Sequence, residues 1–220
     1  RWRAGFLGLA SLASLTWAFA GVLNPAMSQL HAFVSEYSAR DQPWRYLFQT
    51  TDVVMGTSLC LAGLATLAWA RHRPLGRQGW SGIGFVVGGL FSVLDALVTM
   101  DCSPTRSPAC MAAEEAGHVS ASHIVHVGTS TVVVIGFALP ILLLNSTMTR
   151  FRGFGLVVAW AWVIFTLLNG IGAMDWFNGT PMSYTGIWQR LSLGLGTLWW
   201  LTLAADDVIT ARARNHVPSC

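Results

Sequence analysis

The sequence predicts an all-α fold: a six-helix transmembrane bundle with both termini cytoplasmic and short extracytoplasmic loops. Three observations carry this reading. Apolar residues make up 53% of the 220-residue chain and only 10% is charged, against about 25% charged residues in a soluble domain. The apolar residues gather in six runs, near 5–23, 48–70, 80–100, 123–144, 154–174 and 187–205. Each is close to the roughly 20 residues that a helix needs to cross a bilayer. The arginines, finally, recur between alternate runs.

The first run, Phe6 to Leu23, follows Arg1 and Arg3. It is long enough to span, and AGVLNPAM is not a convincing small-x-small cleavage site, so it reads as an uncleaved first helix. Arg71, Arg73 and Arg77 lie between the second and third runs, Arg150 and Arg152 between the fourth and fifth, and Arg212 and Arg214 after the sixth. All share one side with Arg1 and Arg3, and the positive-inside rule makes that side cytoplasmic. Asp206 and Asp207 dilute the last signal without reversing it. No run is interrupted by a long soluble insertion, so residues 1–220 read as a single integral membrane domain.

Three loops then face outward, roughly 24–47, 101–122 and 175–186. Trp44, Tyr46, Trp176, Phe177, Tyr184 and Trp188 sit near this level and read as an aromatic belt at the headgroup region. In the third run, Gly84-x-x-x-Gly88 and Gly89 are a helix-packing signal, expected to act within the monomer. Pro140 is placed to kink the fourth helix by removing a backbone bond. Some functions are excluded. All 13 basic residues are arginine, so no retinal-type Schiff base is available. A formal charge of +3 without a basic patch carries no nucleic-acid signal.

The loop after the third run, DCSPTRSPACMAAEEAGHVSASHIVH, holds two cysteines, three histidines and two glutamates. Cys102 and Cys110 flank two prolines on the oxidising side, which suits a structural disulfide; a catalytic pair would call for C-x-x-C. His123 and His126 share one helix face. Asp52, Asp95, Asp101, Asp175 and Arg190 fall at comparable depth on other runs, where charges are costly unless paired or hydrated. These seven residues are the candidate ligand-binding set. Two functions use them. In the first, an outward-facing polar cavity binds a lipid or small amphipathic ligand, with membrane lipids and a further membrane protein as partners, in the manner of an accessory subunit; no cofactor is needed. In the second, His118, His123, His126 and Asp101 hold zinc and hydrolyse a lipid-like ester or amide. H-E-x-x-H is absent, no catalytic residue is assigned, and the sequence leaves open whether the protein is an enzyme.

The six-span layout, Asp101-Cys102-Ser103-Pro104 after the third span, and Cys110 with the His118, His123 and His126 region before the fourth together resemble the bacterial DUF998 membrane proteins. The resemblance implies a multi-pass fold in the bacterial plasma membrane and no reaction. Histidine–aspartate intramembrane metal hydrolases are similar in residue chemistry but place a ligand pair near the chain end. The fifth and sixth runs here contain no histidine.

Overall fold

The computed structural model describes residues 2–71, 75–177 and 184–215, with backbone alone for 175–177 and 214–215. The elements in order are α1 (Trp2–Ser14), a 3-10 turn Leu15–Phe19, α2 (Ala20–Leu23), a 3-10 turn Val34–Ser38, α3 (Arg45–Ala70), α4 (Arg77–Leu97), α5 (Pro108–Glu115), α6 (Ala121–Leu143), a 3-10 turn Leu144–Thr147, α7 (Arg152–Phe177) and α8 (Thr185–Asn215). Among the described residues, five stretches are long and apolar enough to cross a membrane: Trp2–Leu23, Arg45–Ala70, Arg77–Leu97, Ala121–Thr147 and Arg152–Met174. They coincide with the first five apolar runs. The sixth run lies in α8, a 31-residue helix that carries Arg190 near one end and Asp206 and Asp207 toward the other, and it is not among the five.

Local signals set the helix ends. Ser120 caps α6 by accepting from the His123 N–H, and Ser107 caps α5 by accepting from the Cys110 N–H, with Pro108 in the first turn. Ser and Pro suit these positions because the first N–H groups of a helix lack internal partners. α5 ends in a Schellman turn: the His118 N–H donates to the Ala113 carbonyl (2.7 Å), the Gly117 N–H to that of Glu114 (3.0 Å), and Gly117 takes φ 69°. Glycine adopts that left-handed geometry without a Cβ penalty. α6 runs through Pro140 and tightens to 3-10 geometry only at Leu144.

In packing order the helices run α6–α4–α3–α1–α8–α7. Side chains close the ring. Trp199 of α8 is fully buried beside Phe85 of α4, Trp200 meets Phe137 of α6 edge-on at 5.4 Å, and the Trp199 indole N–H donates to Asn145 (3.0 Å). Large apolar side chains also cover the outside: on α7, Val157, Ile164, Leu167 and Ile171 are all more than half exposed. A water-facing surface would not carry such a continuous apolar face. Hydroxyls bond between helices instead, Ser14 with Thr197 (2.5 Å) and Thr166 with Ser192 (2.7 Å), as expected where lipid supplies no hydrophobic drive.

At the end of the bundle opposite the Cys102–Cys110 loop, Asp206 is buried and accepts from the N–H groups of Thr149, Arg150 and Phe151 (2.7–3.1 Å). It thereby caps the turn that begins α7. Asp207 holds Arg3 in a two-pronged ion pair (2.5 and 2.7 Å). The two aspartates at the end of the sixth run therefore tie α8 to α1 and to the α6–α7 turn.

Candidate functional site

At one end of the bundle the helix ends are covered by two interlocked loops, 24–44 and 98–120. Glu36 joins them. It is fully buried, and its carboxylate accepts from the Phe33 N–H (2.9 Å), the Thr105 N–H (3.0 Å), the Thr105 hydroxyl (2.6 Å) and the Ser103 hydroxyl. Burial pushes the Glu36 carboxyl above its usual range, and the bonds from Ser103, Thr105 and Phe33 offset part of that. Around it the Arg40 N–H donates to the Met100 carbonyl (3.0 Å), and Asp41 accepts from the Ser103 N–H (3.3 Å). Cys102 and Cys110 are joined, with Cα atoms 6.0 Å apart, so the second loop is tied to the first turn of α5. The sequence reading missed Glu36. Its one visible signal was F-V-S-E, in which an acid three residues on reaches back to the N-cap N–H.

Asp101 sits at the foot of the second loop. Its carboxylate accepts from the Ser120 N–H (2.6 Å), the Ser120 hydroxyl (2.7 Å) and Arg40 (3.0 Å), and its own N–H donates to His123 Nδ1 (3.3 Å). Partial burial pushes this carboxyl up, but the Ser120 bonds, Arg40 and His123 outweigh it and hold the group below the ordinary aspartate range. The sign follows. A carboxylate favoured when folded contributes stability above its unfolded pKa of about 3.9 and loses it as pH falls through the lower folded value. Glu36, raised by burial, acts oppositely: its contribution is greatest below its unfolded value and declines as pH rises through the folded one. Asp101→Asn is therefore expected to lower the unfolding midpoint at pH 6, by an amount equivalent to roughly 1–2 kcal/mol. It is also expected to flatten the wild type's decline below about pH 4. Thermal unfolding across pH checks this, and a variant that keeps the full acid-side decline would refute it.

His123 is buried, and its Nε2 lies 3.9 Å from a Glu114 carboxylate oxygen. Deeper, Asp95 Oδ1 accepts from the Ser130 hydroxyl (3.0 Å) and the Thr129 hydroxyl and lies 3.3 Å from His126 Nδ1. His126 Nδ1 also faces the carbonyls of Asp95 (3.1 Å) and Val98 (3.0 Å). Every neighbour of that nitrogen is an acceptor, so it carries the ring proton. The group latches α4 to α6. Asp52 of α3 is half-buried, within electrostatic range of Asp95, and makes no hydrogen bond among the described residues.

Arg190 lies elsewhere. It donates to the carbonyls of Ala32 and Gly186 (both 2.9 Å) and to the Tyr37 hydroxyl (3.3 Å), fastening the first loop to α8. The side chain of Asp175 falls outside the described residues. His118 is exposed beyond the end of α5, apart from His123 and His126. Among the described residues no three His, Cys, Asp or Glu side chains gather as a possible metal site.

A groove of about 340 Å³ opens between the start of α3 and the end of α4. Arg40, Arg45, Tyr46 and Gln49 form one wall; Ala96, Leu97 and Thr99 form the other. The Arg45 guanidinium lies 4.5 Å from the centre of the Tyr46 ring and donates to the Tyr46 hydroxyl (2.5 Å) and the Arg40 carbonyl (2.9 Å). It pairs with no carboxylate among the described residues, whereas Arg40 pairs with Asp101 and stays half exposed. Sequence reasoning placed Tyr46 in an aromatic belt and passed over both arginines. The legible signal was two cations and two aromatics, Trp44 and Tyr46, within the seven residues 40–46 at the start of a span.

Fold and site together define a multi-pass helical membrane protein with a tightly bonded polar cap at one end of the bundle. The chain matches, over residues 7–206, the family described as "Protein of unknown function (DUF998)", and it belongs to that family. No curated protein and no solved structure matches it.

Proposed function

We propose that the protein binds an anionic amphiphile, headgroup first, in the groove between the outer ends of α3 and α4. The observation that carries this reading is Arg45, a half-buried cation on the groove wall, beside the exposed Tyr46 and with no acidic partner among the described residues. Arginine is suited to phosphate and carboxylate because its planar fork donates two parallel bonds, and Tyr46 and Gln49 add polar contacts at the same level. α8 makes the sixth crossing of a single integral domain, the arginine-rich turns and both termini face the cytoplasm, and the cap faces outward in a bacterial plasma membrane. The partners are membrane lipids and, in an accessory role, a neighbouring membrane protein. A zinc hydrolase built on His118, His123, His126 and Asp101 draws no support from the geometry. His118 stands off in solvent, and Asp101 is engaged by Ser120 and Arg40.

The test uses nanodiscs of mixed phosphatidylglycerol and phosphatidylcholine. In native mass spectrometry the wild type is expected to retain phosphatidylglycerol preferentially. Arg45→Gln is expected to reduce that preference about tenfold or more, since a charge-assisted bond contributes roughly 1.5–3 kcal/mol. Equal retention of both lipids by the wild type would refute the reading.

A further inference from the structure

The geometry points to an acyl-chain seat on the opposite flank of α3, so that one anionic lipid straddles the first turn of that helix. This rests on the headgroup reading above. A second groove of about 340 Å³ lies between α1, α2 and α3, walled by Leu12, Leu15, Phe19, Val22, Leu23 and Leu47. It exists because α1 tightens into the 3-10 turn Leu15–Phe19 before α2 resumes. In 3-10 geometry residues three apart eclipse one another. Thr16 and Phe19 therefore fall in line, with Val22 following, and the wall opens where a regular helix would spread those side chains. The polar group at this wall is already engaged: the Thr16 hydroxyl donates to the Ala13 carbonyl (2.9 Å). The groove thus offers an occupant apolar surface, and in a bilayer the apolar occupant at hand is a lipid chain.

Continuity with the cationic groove selects the lipid. Arg45, Tyr46 and Gln49 line one groove and Leu47 lines the other, so both open on the first turn of α3. A headgroup held at Arg45 has its glycerol at the level of Tyr46, which is 66% exposed between the two, and one chain can descend past Leu47 toward Phe19 and Val22. Neutral lipids fill the same groove without the anchor. Lipid tails are as apolar as leucine, so the chain adds fit and orientation, while selectivity comes from the headgroup.

The experiment compares two photoactivatable probes in nanodiscs, phosphatidylglycerol and phosphatidylcholine, each with a diazirine in the same acyl chain. Labelled sites are mapped by peptide mass spectrometry, and phosphatidylglycerol retention is measured in parallel. In the wild type the anionic probe is expected to label residues 12–23 and 47 several-fold more than the neutral probe, and Arg45→Gln removes the difference. Val22→Trp fills the groove from a position that is 83% exposed. It is expected to shift the label elsewhere while phosphatidylglycerol retention persists. Equal labelling by the two probes, or labelling unmoved by Val22→Trp, overturns the chain seat while retention upholds the headgroup site. Loss of selective retention in the wild type overturns both.

Discussion

Glu36→Ala is expected to uncouple the two loops of the polar cap and to lower stability by roughly 3–5 kcal/mol. The wild-type carboxylate receives four donors, from Phe33, Ser103 and twice from Thr105, in a fully buried setting. Alanine leaves them facing apolar atoms, and each orphaned buried donor costs about 1–3 kcal/mol less whatever water can recover. Glu36→Gln should cost less. Its amide oxygen can serve the three donors on one side, but its NH₂ then confronts the Phe33 N–H. Thermal unfolding measures the global effect. Hydrogen exchange at residues 33–38 and 101–107 separates cap loosening from bundle loosening, because α3 and α4 should stay protected. Wild-type exchange in both segments of Glu36→Ala would show that Glu36 does not join the loops.

Gly89→Leu is expected to prevent α3 and α4 from docking. A Cβ at Gly89 would stand 2.5 Å from the Gly56 carbonyl and 2.7 Å from the Cys60 nitrogen. One at Gly56 would stand 2.6 Å from the Gly89 carbonyl. These are backbone atoms, which cannot rotate aside as a side chain would. The helices must part, and the cost should exceed the ~1–3 kcal/mol typical of overpacking a core. Folded yield and the unfolding midpoint in detergent report it, with Gly89→Ala intermediate. Gly128→Ala and Gly170→Ala are the controls. Nothing lies within 4 Å of a Cβ at either position, and alanine improves helix propensity there by up to about 1 kcal/mol. If Gly89→Leu is as stable as these controls, the close approach is not what holds the pair. The G-x-x-x-G pair is occupied internally in the same way: Gly84 meets Gly136 and Gly88 meets Phe137, both on α6.

The candidate site was legible in part. Cys102 and Cys110 could be paired from two cysteines, two prolines and an outward loop, because a short loop leaves few alternatives. Asp95 and His126 were visible as costly polar groups at depth. That they meet each other, with Thr129 and Ser130, depends on the rotation of α4 against α6. His118 is carried off into solvent by the Schellman turn at Gly117, away from His123 and His126. Arg190 read as one of the candidate ligand-binding residues, yet its guanidinium went to the backbone carbonyls of Ala32 and Gly186. Carbonyls are present at every residue, so no sequence pattern announces which of them a cation will find.

What the sequence by itself determined is the class of protein. A long apolar run must satisfy its own backbone in lipid, and a helix does so within one segment, so composition and run length were enough for the multi-pass helical fold. Tertiary structure alone decided how the polar residues are used. Glu36 became the junction of two loops, Asp206 the cap of α7, and Arg45 a groove cation with no carboxylate partner among the described residues. Helical periodicity assigns a residue to a face of its own helix, but the neighbour of that face is set by contacts between distant segments. In this bundle those contacts are governed by backbone approach at Gly56, Gly89 and Gly136, where what matters is the absence of a side chain.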